Sequence, residues 1–509
     1  LVIIVAGINT MSLINVENLT FAYDGSYDNI FENTSFQIDT DWKLGFTGRN
    51  GRGKTTFLNL LLDKYEYSGR ISATVDFQYF PHDVEDKSQN TDDIIRKIAP
   101  ECQEWEVSCE LSLLDVSEDV LTRAFETLSN GEQTKVLLAA LFLSENNFLL
   151  IDEPTNHLDI TGRQIVSRYL NGKSGYILVS HDRAFLDGCV DHILSINRAN
   201  IEVQRGNFSS WFANKERQDN FELAENERLN KDIKRLKKAA KQSASWADKA
   251  ESTKMGKGAS AARKKGHNTV GSKEYIAEKS RRMQQRRKNL ERRQNDSLEE
   301  KSKLLKNIEK SDSLKITQLP YPKQKYMILQ DVSIRYGDKV VCENISFDID
   351  QGDRLALQGK NGSGKSSIIK LICGEDISYT GNLTIGSGLK ISYVSQDTSS
   401  LSGNLTDYAI NHGIDESLFK AILRKLDFSR VQFEKNMSDF SGGQKKKVLI
   451  ARSLCEKSHL LIWDEPLNFI DVLSRMQIEN LILEHKPTIL FVEHDSYFCD
   501  KVSTKIVSV

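Results

Sequence analysis

What this 509-residue chain lacks narrows its class before any motif is read. No apolar stretch approaches the roughly 18–20 uninterrupted residues that a membrane helix needs, so no membrane partner is expected for it. Residues 1–10 are largely apolar, but they are too short to span and carry no basic leader. Met11 is the expected natural start, with 1–10 an upstream extension. Cysteines number seven, an odd count with no C-x-x-C pair and no zinc-ligand spacing. That speaks against a disulfide framework and leaves reduced thiols in the cytoplasm as the expected state. Net charge is nearly missing too, at −2, but the small number conceals a division. Residues 213–310 hold 28 Lys/Arg against 15 Asp/Glu, a surplus of 13, so the rest of the chain carries −15. A basic insert between two acidic stretches is expected to face a polyanion.

What is present is one set of motifs, twice, in the same order. Gly48-Arg49-Asn50-Gly51-Arg52-Gly53-Lys54-Thr55 and Gly359-Lys360-Asn361-Gly362-Ser363-Gly364-Lys365-Ser366 both fit G-x-x-x-x-G-K-[ST]. Glycines let successive N–H groups turn inward into an anion nest, and the helix that follows presents its positive end to phosphates. Lys54 and Lys365 add point charge, and Thr55 and Ser366 offer a hydroxyl to Mg²⁺. The cofactor contacts are expected to reach Thr56 and Ser367 in the first helical turn. Each loop follows an apolar, strand-like run and precedes a helical pattern, the context that the motif requires. Further along, two apolar strands end in acids, at Asp152-Glu153 and Asp464-Glu465. A buried acid is costly without a cation. Asp152 and Asp464 therefore suit Mg²⁺, and Glu153 and Glu465 sit where a carboxylate can polarise an attacking water.

Before each acidic strand lies Leu128-Ser129-Asn130-Gly131-Glu132-Gln133 or Phe440-Ser441-Gly442-Gly443-Gln444, opening a helical run. Here the chain resembles the ABC ATPases, whose signature is L-S-G-G-Q. The resemblance implies an α/β fold with two tandem P-loop ABC-type nucleotide-binding domains and two ATP molecules. Signature residues Ser129, Asn130, Gly131, Gln133, Ser441, Gly442, Gly443 and Gln444 would each meet the γ-phosphate held by the opposite domain, an intramolecular pseudo-dimer within a monomer. By the same resemblance His181 and His494 are switch histidines and Asp159 and Asp471 are D-loop acids. Tyr23 and Tyr336 stand where an aromatic stacks on adenine, or are ordinary strand aromatics. Gln396 resembles the Q-loop glutamine near the metal. The first half has His82 at the matching place, which leaves that position's role open or makes it a plain surface histidine.

From Ala213 to Ile308 the nucleotide motifs vanish. Leu229, Ile233 and Leu236 recur at helical spacing, and Met255-Gly256-Lys257-Gly258-Ala259-Ser260 reads as a tip loop. The expected organisation is a first ABC domain at 11–212, a basic antiparallel helical linker, coiled-coil-like, at 213–312 with its tip at about 253–272, and a second ABC domain at 313–509. Lys254, Lys257, Arg263, Lys264, Lys265, Arg281, Arg282, Arg286 and Arg287 are the candidate RNA-phosphate contacts; a solvated charged linker is the plainer reading.

Two ABC domains around a basic helical linker, without a membrane segment, resemble the ABC-F translation factors over essentially Ser12 to Val509. Only 47 residues separate His82 from Ser129 and 45 separate Gln396 from Ser441, leaving no room for the arm hairpin of several housekeeping members. The run Trp463 to Arg475 and the segment Phe491-Val492-Glu493-His494-Asp495 look like the antibiotic-resistance branch, which acts against lincosamides, pleuromutilins and streptogramin A. That resemblance implies binding of the 70S ribosome at the E site, with contacts to 23S rRNA and P-site tRNA. It also implies drug displacement by the linker and release on ATP hydrolysis. A housekeeping ABC-F factor, the ATPase of an exporter and a DNA-acting ATPase are the alternatives.

Overall fold

The computed structural model describes residues 12–23, 29–144, 147–156, 158–196, 201–256, 285, 292, 318–337 and 339–509. The chain divides into two compact units, Leu1–Trp211 together with Ser313–Val509, and Phe212–Asp312. The first unit holds both nucleotide-binding domains.

Each domain has a three-stranded antiparallel sheet and a larger, mainly parallel one. In the first, β1 (Leu13–Phe21), β2 (Phe31–Asp39) and β4 (Ser68–Ser72) form an antiparallel sheet ordered β2-β1-β4. Then β3 (Lys43–Thr47), β5 (Asp76–Phe80), β6 (Asn147–Asp152), β7 (Tyr176–Val179), β8 (His192–Ile196) and β9 (Ile201–Arg205) form a second, ordered β5-β6-β7-β3-β8-β9. All its neighbours run parallel except β9, which is antiparallel to β8. In the second domain, β10 (Lys325–Tyr336), β11 (Lys339–Asp350) and β13 (Tyr379–Ile385) make the antiparallel sheet β11-β10-β13. The remaining strands, β12 (Arg354–Gln358), β14 (Ile391–Val394), β15 (Leu460–Asp464), β16 (Ile489–Val492) and β17 (Lys505–Ser508), make a parallel sheet ordered β14-β15-β16-β12-β17.

The central strands are unbroken apolar runs, as expected of a parallel sheet covered on both faces. Tyr176-Ile177-Leu178-Val179 and Ile489-Leu490-Phe491-Val492 are buried throughout. The antiparallel sheet and the helix Lys54–Leu61 share one core with β3, β6, β7 and β8 through Phe21, Phe31, Phe46, Phe57 and Phe148. A second core joins β15 and β16 to the helices Leu405–Asn411, Glu416–Lys425, Gly442–Cys455 and Val472–His485, around Trp463 and Phe419.

Topology assembles the site. β7 lies between β3 and β6, so three adjacent C-terminal ends deliver the phosphate loop, His181 and the Asp152-Glu153 pair to one edge. The second domain repeats this with β12, β16 and β15. Such an edge is where open α/β sheets bind ligands.

One uninterrupted helix runs from Phe208 to Gly256, 49 residues; its first four residues belong to the first unit and the rest to the second. It starts five residues before the expected linker boundary and continues into the expected tip. Lys254 lies on it; Lys257, Arg263, Lys264, Lys265, Arg281, Arg282, Arg286 and Arg287 lie outside the described residues, as do the rest of the tip from 257 onward and most of the second arm. Residues 1–10 also lie outside them.

Candidate functional site

Gly53 and Gly364 initiate the phosphate-loop helices from the left-handed region, at φ +91° and +95°. A Cβ at Gly53 would stand 2.5 Å from Ile30 Cγ2, and one at Gly364 would stand 2.9 Å from Val341 Cγ1. Both conformation and space demand glycine there. Lys54 Nζ donates to the carbonyls of Gly48 at 2.7 Å and Arg49 at 3.3 Å. Lys365 Nζ donates to Gly359 and Lys360 at 2.9 and 2.8 Å. Burial lowers the pKa of both lysines, against the pull of neighbouring acids. Arg52 and Ser363 close the loop turns through N–H bonds to Arg49 and Lys360. Over the first turn of each following helix lies a half-exposed tyrosine. The Tyr23 hydroxyl is 2.9 Å from Thr56 Oγ1, and the Tyr336 hydroxyl donates to Ser367 Oγ at 3.4 Å.

Thr55 Oγ1 donates to Asp152 Oδ2 at 3.3 Å, and Ser366 bonds to Asp464. Burial raises both aspartates' pKa values, and Asp464 Oδ1 is buried without a hydrogen-bond partner among the described residues. A hard divalent cation would satisfy such oxygen-only groups, so the residues fit Mg²⁺. Among the described residues no cluster of three or more His, Cys, Asp or Glu forms a cage. A cation here would therefore draw the rest of its shell from nucleotide phosphates and water.

Glu153 and Glu465 follow these aspartates in the left-handed region, at φ +53° and +46°. Non-glycine residues rarely occupy it, and such strain is a feature of functional sites. It aims each carboxylate at a switch histidine: His181 Nε2 lies 3.4 Å from Glu153 Oε1, and His494 Nε2 lies 3.4 Å from Glu465 Oε1. The glutamates nevertheless differ. Burial, reinforced by Asp152, pushes Glu153 up to about 8. Burial works the same way on Glu465. There the bond from His494, the bond from Asn468 and the charge of Lys446 outweigh it and hold the carboxyl below its ordinary range. Gln396 Nε2 and Asn468 Nδ2 each donate to Glu465 Oε2 at 2.7 Å. Gln396, a metal candidate from sequence, thus reaches the glutamate. At the first site His82 is exposed and forms no side-chain hydrogen bond among the described residues, while Tyr79 donates to Asp152 Oδ2 at 3.0 Å. Sequence reasoning missed Tyr79, although its place three residues before His82 on an apolar strand was a signal.

The signature serines cap their helices. Ser129 and Glu132 form a reciprocal capping box, as do Ser441 and Gln444. Glu132 is therefore the structural counterpart of Gln444, while Gln133 turns back to the carbonyls of Phe125 and Leu128 at 3.0 and 3.1 Å. Asp159 and Asp471 cap the next helices, accepting from Gly162 and Ser474 N–H at 2.7 and 2.9 Å. Burial alone would raise Asp471, but Lys447, 3.0 Å from Oδ2, and Ser474 hold it well below its usual range.

The two domains meet head to tail. A cavity of about 780 Å³ is lined on one side by Ser129, Asn130, Gly131 and Asp159 of the first domain. The other side is Lys360, Asn361, Gly362, Gly364, Lys365, Ser366, Ser367, Gln396, Glu465 and His494 of the second. At the other composite site Asn50 Nδ2 donates to Phe469 O at 2.9 Å, Arg49 pairs with Asp427, and a Cβ at Gly443 would approach Asn50 Nδ2 to 3.2 Å. The helix of Ser441, Gly442 and Gln444 therefore faces the first phosphate loop.

Two P-loop domains with interdigitated signature helices define a tandem ABC ATPase. Residues 31–156 and 342–468 match the family described as ABC transporter. The chain is 27% identical over 496 residues to the ribosome protection protein VmlR of Bacillus subtilis, covering 95% of this chain and 84% of that one. It is 29% identical to the ATP-binding protein Uup of Buchnera aphidicola (97% and 80% covered), and 26% to the energy-dependent translational throttle protein EttA of Haemophilus influenzae (94% and 88%). A solved structure of the archaeal ribosome recycling factor aABCE1 in complex with the stalk protein aP1 shares the fold. Its TM-score is 0.63 at 17% identity, covering 96% of this chain and 87% of that one. The chain has two ATP-binding domains of the ABC type and is an ATPase. No helix among the described residues is long and apolar enough to cross a membrane.

Proposed function

We propose that this ATPase protects the ribosome from antibiotics of the peptidyl-transferase centre. ATP closes the head-to-tail sites, and the closed form enters the 70S E site from the cytoplasm. The linker, held by phosphates of 23S rRNA and P-site tRNA, moves the tRNA and reaches the drug site. Hydrolysis reopens the domains and frees the factor. The observation that carries this reading is the helix Phe208–Gly256, whose 49 residues extend roughly 70 Å at 1.5 Å per residue. It opens a segment with 13 surplus positive charges, and the similarity to the ribosome protection protein VmlR supports the direction. An exporter motor has no use for such a reach.

At each site the phosphate-loop N–H groups and lysine bind the triphosphate, and Tyr23 or Tyr336 covers the adenine. Thr55 with Asp152, and Ser366 with Asp464, would hold Mg²⁺, which supplies positive charge against the phosphates. Glu465, oriented by Gln396, Asn468 and His494, accepts a hydrogen bond from the attacking water; Glu153 and His181 hold the corresponding places at the first site, where burial and Asp152 make the carboxyl a weaker acid. Ser441 and Ser129 close on the opposite γ-phosphates.

The test is expression in a drug-sensitive host. Raised resistance to lincosamides, pleuromutilins or streptogramin A is expected, and it should disappear when Gly256 to Gly266 are deleted. Unchanged susceptibility to all three classes overturns drug protection and leaves a housekeeping factor.

A further inference from the structure

The two sides of the seam between the ABC domains are related by pseudo-symmetry, yet they are filled differently. Beside the first composite site, Arg183 of the first domain pairs with Glu479 of the second, which is fully buried and also holds Lys501. The Arg183 guanidinium lies 4.0 Å from the centre of the Tyr497 ring. The motif register, His181 to His494 and Asp159 to Asp471, gives the counterparts on the other side. Arg183 becomes Ser496, Glu479 becomes Ser167, Tyr497 becomes Ala184 and Lys501 becomes Gly188. All four large or charged groups are replaced by small ones, and those four small residues line a cleft of about 360 Å³. Across it, Arg163 keeps a bond to His494 O at 3.2 Å. Arg163 and His494 line both this cleft and the 780 Å³ cavity, so the cleft lies beside the second composite site.

We infer that the seam is hinged at Arg183–Glu479, so that the domains part on the Ser167–Ser496 side and nucleotide exchange runs through the second composite site. A buried charge pair across an interface governs its opening rate, because parting exposes both charges to unpaired burial or rehydration at once. Where the four counterparts Ser167, Ala184, Gly188 and Ser496 stand there is a cleft in place of the buried pair and its stacked ring, and so less packing to break. Packed interfaces move as rigid bodies about such fixed contacts. The inference rests on ATP binding at both sites and not on drug protection, so the two fail separately.

Release of a fluorescent ADP analogue from the full chain tests it by stopped flow. Two phases are expected, and Lys365→Ala should delete the faster. Arg183→Ser with Glu479→Ser copies the other side and leaves neither charge alone; it should accelerate the slow phase by about tenfold or more. Ser167→Glu with Ser496→Arg builds a pair into the cleft and should slow the fast phase by a similar factor. The inference is overturned if the wild type releases both nucleotides in one phase, if Lys365→Ala deletes the slower, or if Arg183→Ser with Glu479→Ser leaves the slow phase unchanged. Should the cleft-filled variant not fold, the Arg183/Glu479 variant decides alone.

Discussion

Adding one methyl group at Gly362 or at Gly364 separates backbone strain from crowding within a single loop. Both glycines occupy the left-handed region, at φ +82° and +95°. A Cβ at Gly362 meets nothing within 4 Å, whereas at Gly364 it would stand 2.9 Å from Val341 Cγ1 and 3.2 Å from Cys342 Cβ. Gly362→Ala should therefore cost only the conformational strain, about 1–2 kcal/mol. Gly364→Ala should add overpacking of about 1–3 kcal/mol. At 1.4 kcal/mol per tenfold, the first variant loses roughly 5- to 30-fold in second-site ATP affinity, and the second roughly 30-fold or more. The assay is equilibrium ATP binding in a Lys54→Ala background, which isolates the second site, read beside thermal unfolding to capture any cost borne by the fold. Val341→Ala in combination with Gly364→Ala should return the crowding part and leave the strain. Equal losses from the two glycine variants, or no recovery with Val341→Ala, would refute the reasoning.

Gln396→Ala should lower ATP turnover by about tenfold or more, since it removes the donor 2.7 Å from Glu465. His82→Gln should leave turnover near wild type, because His82 is exposed; equal severe losses from both would give His82 its own chemistry. Asp471→Asn should lower stability at neutral pH by about 3 kcal/mol, leaving the buried Lys447 without its partner. Because the folded-state pKa of Asp471 is depressed, its contribution is complete above the ordinary carboxylate range and fades as pH falls through the lower folded value. The gap between the two melting curves should narrow in acid, and a constant gap would contradict the assignment. Deleting Gly256 to Gly266 should spare basal ATPase and ribosome binding; single tip substitutions should shift the ratio of lincosamide to pleuromutilin resistance more than they shift ATPase.

Much of the site was legible because phosphate binding is written in contiguous motifs. Gly53, Lys54 and Thr55 act through local backbone and the first turn of one helix, so their spacing suffices. The strand order that brings Asp152 and His181 to the same edge was not legible, since periodicity does not order strands. Sequence reasoning ran out at contacts that pair distant residues. Nothing local marks Arg183 as the partner of Glu479, or Asn50 as a donor to Phe469 O across the seam. The alignment of Gln133 with Gln444 also needed geometry: one extra residue of resemblance in Glu132-Gln133 hides that the capping-box position is Glu132. The linker helix was legible as a helix from Leu229, Ile233 and Leu236, but its start at Phe208 was not. Phe208 and Trp211 are buried and so read as part of the first domain.

Ribosome binding in ATP with hydrolysis blocked is the most direct test of the proposed cycle. Glu153→Gln with Glu465→Gln keeps the phosphate loops and the signature helices and removes only the two carboxylates beside His181 and His494. Co-sedimentation of this variant with 70S ribosomes in the presence of ATP should show stable retention that the wild type loses as it hydrolyses. Fast release of the double variant in ATP, or retention on plasmid DNA in place of ribosomes, would contradict the account.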